Sequence, residues 1–132
     1  MKILLLNAGS SSLKAALVES DEGTVVAHAL ADWAGAATRY QQTGADGVEQ
    51  TEEVGWRGHA RAVERFVADL TAEQRSGLAA VGHRFVHGGP FTSSVRITSE
   101  IQRRLFALVD LAPLHNPPSL ETLAAAEAAL PH

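Results

Sequence analysis

The sequence predicts an α/β fold in which a mixed sheet carries flanking helices, and two patterns predict it. Three short apolar, β-prone runs separated by polar turns open the chain, after which apolar stripes at helical spacing alternate with one further strand. A length of 132 residues leaves room for one compact domain.

Ile3 to Leu6 is a continuous apolar run stopped by Asn7-Ala8-Gly9-Ser10-Ser11-Ser12, the pattern of a strand buried on both faces that ends in a polar turn. Leu13 to Val18, with Lys14 as its one charge, reads as the second strand. Ser20-Asp21-Glu22-Gly23 then turns the chain into a third, Thr24 to Ala27. Links this short predict antiparallel hairpins. From Trp33 to Gly58, glycines 35, 44, 47, 55 and 58 stand among Gln, Thr and Glu, which reads as loop with room for a short strand. Val63, Phe66, Val67 and Leu70 fall at i, i+3, i+4 and i+7, the stripe of an amphipathic helix from about His59 to Leu70. Thr71-Ala72-Glu73-Gln74 restarts a helix, and Leu78 to Val86 is a strand closed by Gly88-Gly89-Pro90. Ser99 is placed to cap a helix that buries Ile101, Leu105, Leu108 and Val109. Pro113, Pro117 and Pro118 interrupt it, and a last helix starts near Pro118 or Ser119 and runs through Leu120, Leu123 and Ala124 to Ala129. The order is βββ-loop-α-β-α-α, with no repeat and no linker.

Composition narrows the function. Hydrophobic residues are 45% and charged residues 20%, as in a soluble globular chain. The net charge is −4 and the Arg and Lys residues are scattered, which argues against a nucleic-acid surface. No run approaches the ~20 apolar residues that cross a bilayer, and Ile3 to Leu6 is too short for a signal-peptide core. A cytoplasmic protein without a membrane partner is therefore expected. With no cysteine there is no disulfide, thiolate metal site or Cys nucleophile.

Three motifs carry chemistry. Asn7 to Lys14 offers a glycine for close backbone approach, three hydroxyls and a nearby cation, which suits a phosphate chain. It is not a Walker A loop, because Lys14 stands where that pattern needs glycine. An ordinary polar hairpin turn uses the same residues. In His83-Arg84-Phe85-Val86-His87-Gly88-Gly89 the two histidines have the spacing of a helical zinc pair, but on a strand they stand roughly 13 Å apart, too far to share an ion. Arg84, at a strand end beside a glycine turn, can receive carboxylate or phosphate oxygens bidentately; a structural ion pair is its plainer use. In Leu111-Ala112-Pro113-Leu114-His115-Asn116-Pro117-Pro118 the prolines stiffen a loop that fixes the direction of Leu114 and His115. A helix-terminating segment with His115 as a cap or buried hydrogen-bonding group reads equally from the same residues.

In this order the three motifs resemble the acetate kinase family, carboxylate kinases that move phosphate between ATP and a short-chain acid. The likeness is close at Asn7 to Lys14, at His83 to Gly89 with Phe91-Thr92 and Ser94, and at Leu111 to Pro117. Trp33 to Gly58 is its weakest stretch. The resemblance implies the first part of a ribonuclease H-like or actin-like ATPase domain (βββαβα), with Asn7 as a catalytic group and ligand for Mg²⁺ or Mn²⁺. By the same resemblance Ser10, Ser12 and Lys14 lie along the phosphates of ATP or ADP. Arg84 becomes a catalytic residue that binds the carboxylate and steadies the transferring phosphoryl group. Val86 and Leu114 match an apolar pocket for the alkyl group of acetate or propionate, and His115 lies beside it. Pro90 departs from the family, which commonly has an acidic residue there and a turn about one residue longer. Also missing by comparison are the family's catalytic aspartate, its downstream histidine and second arginine, a metal-binding glutamate, and the second, adenosine-binding domain. The expectation is thus a truncated N-terminal domain over 1–132 that is inactive alone. A non-catalytic interaction module, or another member of the sugar-kinase and actin-like superfamily, are the alternatives, and the Leu111 to Pro117 loop speaks against the latter. The Leu78 to Val86 strand is expected to lack a partner on one side, and homo-oligomers are expected from it.

Overall fold

In the computed structural model, which describes residues 1–130, the three opening runs are adjacent strands β1 (Lys2–Ala8), β2 (Ser12–Glu19) and β3 (Thr24–Asp32). They pair antiparallel in chain order, with Leu6 opposite Ala15 and Ala15 opposite Ala29. Alternation then decides the faces. Leu4, Leu6, Ala8, Leu13, Ala15, Leu17, Ala27, Ala29 and Ala31 are all buried on one side. The expectation that β1 is buried on both faces is corrected here: Leu4 is fully buried, whereas Leu5 is 45% exposed. Helices cover only one face of the sheet among the described residues, so the continuous apolar run overstates the burial.

The stretch read as loop holds two further strands, β4 (Thr38–Thr43) and β5 (Glu49–Val54), which extend the sheet antiparallel beyond β3. Thr38 and Tyr40 are buried, and the Tyr40 hydroxyl donates to Asp69 at 2.8 Å. Burial and this carboxylate neighbour raise the Tyr40 pKa. β5 is almost entirely polar, as suits a sheet edge, where charged residues discourage pairing with other chains.

The helices His59–Asp69 and Asn116–Ala129 follow the predicted stripes, whereas Ser99–Ala107 buries only Leu105 of the four expected positions, with Ile101, Leu108 and Val109 half-buried and Val109 beyond the helix. α1 (His59–Asp69) buries Ala62, Val63, Phe66 and Val67 against the sheet. α2 (Ala72–Ser76) opens with a capping box in which Thr71 and Gln74 satisfy each other's backbone amides. It leads into β6 (Leu78–His83), which pairs parallel with β1 and ends the sheet order β5-β4-β3-β2-β1-β6. β6 therefore has a free edge among the described residues. It stops at His83 rather than Val86, three residues short of expectation. α3 (Ser99–Ala107) is capped by Thr98 rather than Ser99, the Thr98 hydroxyl accepting from the Ile101 amide at 3.3 Å. Val109–Leu111 forms a short 3₁₀ turn, and α4 (Asn116–Ala129) packs along α1. α4 starts two residues before the predicted Pro118, because Pro117 and Pro118 fit its first turn, where backbone N–H groups have no helical partner anyway.

Candidate functional site

The uncovered face of the sheet presents the β1 and β2 residues that alternate with the core. Leu5 lies opposite Ala16, Asn7 opposite Lys14, and Lys14 opposite Leu30, so the register alone places Asn7 and Lys14 side by side. The parallel pairing adds the end of β6, with Gly82 beside Leu5 and the Arg84 amide donating to the Leu6 carbonyl at 3.2 Å. These residues line one cleft of about 630 Å³ with an apolar floor that includes Leu5, Ala16 and Leu30. A Cβ on Gly82 would sit 2.9 Å from the Leu5 side chain, so the close approach of β6 to β1 depends on that glycine.

Lys14 and Arg84 are the only full cations among the residues lining this cleft, and both are exposed. Neither has an ion-pair partner within 4.0 Å among the described residues, so Arg84 is not held in a structural salt bridge there. Two unpaired cations on either side of the end of β1 can take an anion whose charge is spread over several oxygens. His83 lies beside them at the β6 end. Its Nδ1 is buried without a hydrogen-bond partner, and burial pushes its pKa down to about 4, leaving a neutral ring at physiological pH.

The turn after β1 is tightly folded. The Gly9 amide donates to the Ser12 carbonyl at 2.8 Å, and a Cβ on Gly9 would lie 2.6 Å from the Ser12 hydroxyl. Ser10 is exposed and Ser12 half-buried; neither lines the cleft directly, and both stand at the end of the strands that carry Asn7 and Lys14. Behind the turn is a residue that sequence reasoning did not single out. His59, at the start of α1, is buried, and its Nε2 lies 2.7 Å from the Gly9 carbonyl. A carbonyl only accepts, so Nε2 carries the proton. Trp33 packs edge-on at 4.7 Å, and Nδ1 faces Glu121 of α4 at 3.7 Å. Its position just before an apolar helical stripe is a signal for a helix start, and nothing in that pattern shows that the ring reaches back to residue 9.

The other predicted residues are less concentrated. Val86 is half exposed and lines, with Arg84, a second cleft of about 1130 Å³ along the free edge of β6. Leu114 and His115 are exposed in the turn before α4 and line neither cleft. Val86 and Leu114 are thus not gathered into one apolar pocket by the described residues. The strand geometry assumed for His83 to His87 also gives way: the chain leaves the sheet after His83, and the His87 Nδ1 accepts from the Gly89 amide at 3.1 Å. For a divalent cation the side chains lining the cleft offer two neutral oxygens, the Asn7 amide and the Ser94 hydroxyl, and no group of three or more His, Cys, Asp or Glu is assembled among the described residues. That donor set fits a hard cation that arrives with phosphate oxygens and water, not one caged by this chain alone.

Comparison with known proteins follows the same lines. The model of the acetokinase family matches residues 2–132. An acetate kinase of Symbiobacterium thermophilum is 43% identical over 143 residues, covering 100% of this chain and 35% of that protein. The crystal structure of Porphyromonas gingivalis acetate kinase superimposes with a TM-score of 0.86 at 36% identity, over 98% of this chain and 35% of that one. A propionate kinase from Francisella tularensis gives 0.82 at 27% identity, over 96% and 33%. The chain therefore spans about a third of the length of the relatives it matches.

Proposed function

This chain belongs to the acetokinase family, and from that premise we propose that it supplies the carboxylate and phosphate side of a kinase that transfers phosphate between ATP and acetate, giving acetyl phosphate and ADP. The observation that carries the proposal is the single cleft in which Asn7, Lys14 and Arg84 meet on the uncovered sheet face. A carboxylate oxygen would attack the terminal phosphorus, forming the new O–P bond as the bond to the ADP oxygen breaks. A carboxylate is already ionised, so the reaction needs placement and charge neutralisation more than proton transfer. Arg84 would hold the carboxylate and the moving phosphoryl group, while Lys14, Ser10 and Ser12 lie along the nucleotide phosphates. Mg²⁺ or Mn²⁺ would accompany ATP, neutralise phosphate charge, and meet the chain through Asn7.

Val86, Leu114 and His115 remain assigned to the substrate's alkyl side by resemblance. An apolar notch separates acetate from propionate only weakly, since one methylene is worth about 1–3 kcal/mol. The relatives are roughly three times this length, and the 132 residues by themselves are expected to yield no acetyl phosphate in a hydroxamate assay. A cytoplasmic setting and a homo-oligomer paired through the free edge of β6 complete the proposal. No helix among the described residues is long and apolar enough to cross a membrane.

Titration of the isotope-labelled chain with acetyl phosphate tests the site. Resonances of Asn7, Lys14 and Arg84 are expected to shift together, and the response is expected to be lost in Arg84→Ala. Shifts confined to another surface, or an undiminished response in Arg84→Ala, would remove the assignment.

A further inference from the structure

Asn116 and Ser119, in the first turn of α4, are deeply buried polar residues, 0% and 2% exposed. Neither is spent on capping its own helix. The N-cap position, His115, has no side-chain cap, and Pro117 and Pro118 have no N–H to satisfy. Both side chains reach the segment that follows β6, and the Ser119 hydroxyl shares its one proton between that segment and its own turn. The Asn116 Nδ2 donates to the His87 carbonyl at 3.1 Å, and the Ser119 hydroxyl lies 3.2 Å from the Arg84 carbonyl and 3.2 Å from its own-turn His115 carbonyl.

These bonds fall where the sheet stops helping. The Arg84 amide still donates to the Leu6 carbonyl, but no strand continues beyond His83 among the described residues. Arg84 is thereby gripped through its amide by β1 and through its carbonyl by α4, with a second anchor three residues later at His87. Asn116 carries a cost: its Oδ1 is buried without a hydrogen-bond partner among the described residues, which works against folding. A site that served packing alone would be filled better by an apolar side chain of similar volume.

We infer that Asn116 and Ser119 are positioning residues that fix the backbone of Arg84 to His87 from behind and so aim the Arg84 guanidinium across the cleft, an inference that rests on the substrate role proposed for Arg84. The two residues touch no substrate. They act through the carbonyls they hold, and they explain why a helix that packs on α1 begins with two buried polar side chains beside the loop after β6. Bidentate recognition of a carboxylate or phosphoryl group by arginine is sensitive to orientation, so slack in this segment weakens binding without unfolding the sheet.

The test compares wild type with Ser119→Ala, Ser119→Thr and Asn116→Leu, titrated with acetyl phosphate and followed by NMR, with unfolding temperature recorded separately. Ser119→Ala is expected to weaken binding about five- to tenfold, the scale of one hydrogen bond. It should lower the backbone ¹⁵N heteronuclear NOE at Phe85 and Val86 and leave the response of Lys14 to inorganic phosphate unchanged. Ser119→Thr, which keeps the hydroxyl, should restore both. Asn116→Leu should loosen Val86 and His87 in the same measurement. In the wild type the Ser119 hydroxyl proton should be protected from exchange with water, and a freely exchanging hydroxyl overturns the inference without any variant. Unchanged affinity and unchanged order at residues 85 and 86 in a folded Ser119→Ala chain also overturn it. Should wild type bind no acetyl phosphate at all, the proposed function fails, while order at residues 85 and 86 still decides whether the two side chains hold the segment.

Discussion

Replacing His59 by alanine probes how the phosphate-side turn is held in place. The ring is 5% exposed, donates from Nε2 to the Gly9 carbonyl at 2.7 Å and meets Trp33 edge-on at 4.7 Å. Alanine leaves the Gly9 carbonyl without its partner, at a cost of about 1–3 kcal/mol. It also removes an aromatic contact worth about 0.5–1.5 kcal/mol. Together with the space vacated between α1 and the turn, the expected loss is about 3 kcal/mol. In urea, with a slope of about 1.5 kcal/mol per molar, that moves the unfolding midpoint down by about 2 M at constant slope. His59→Gln is the informative partner: its amide can donate toward the same carbonyl but cannot reproduce the ring, so it should recover about 1 kcal/mol. In labelled chain, His59→Ala should shift the amides of Gly9 to Ser12 more than those of any other turn. An alanine variant within about 0.5 kcal/mol of wild type, the range of an inconsequential surface change, would refute the reasoning. So would a glutamine variant no better than alanine, because the loss would then lie in packing and not in the bond to Gly9.

Two further outcomes follow from the site's margins. His83 titrates at about 4 in the folded chain, below its ordinary 6.5, so the unfolded state binds the proton more readily and stability present above pH 6.5 is lost as pH falls toward 4. The full shift corresponds to about 3 kcal/mol, reduced to about 2 because the residue is only partly buried; His83→Gln should flatten the urea-midpoint profile between pH 6.5 and 4, and parallel profiles for the two chains would contradict the assignment. Gly89 has φ +55°, and a Cβ there would stand 2.7 Å from the Leu108 side chain, so Gly89→Ala should cost at least about 1 kcal/mol by thermal unfolding, whereas an unchanged or higher melting temperature would show that the turn and α3 yield freely.

The parts of the fold legible in the sequence were those written in apolar periodicity. The opening strands, the stripe of α1 and the capping box of α2 announce themselves because burial on one face repeats every second or every 3.6 residues. The stretch that reads as loop with room for a short strand holds two, β4 and β5, because an outer strand is held by backbone pairing and needs few apolar side chains; Tyr40 and Thr38 carry the buried face almost alone. β6 ends sooner than its sequence predicts for the opposite reason. Phe85 and Val86 continue its apolar run, but what ends a strand is the loss of a backbone partner, and here the carbonyls of Arg84 and His87 lie against α4 side chains more than thirty and nearly thirty residues away. No local pattern records such a bond.

The same distinction separates the residues that face the cleft from those that hold it. Lys14 and Arg84 stand out in sequence because a lone cation among apolar and glycine residues is unusual, and the register of β1 with β2 and β6 brings them over one floor. His59, Asn116 and Ser119 do not stand out, because each sits at a helix start, where polar residues are ordinary. In three dimensions all three lie on the helical side of the sheet and bond to main-chain carbonyls at Gly9, His87 and Arg84, the two loops that bound the uncovered face. A sheet can present a cation but cannot fix a loop beyond its last ladder bond. In this chain the helices behind the sheet do that, so a substitution more than one layer from the cleft is expected to reach it through the backbone of those two loops.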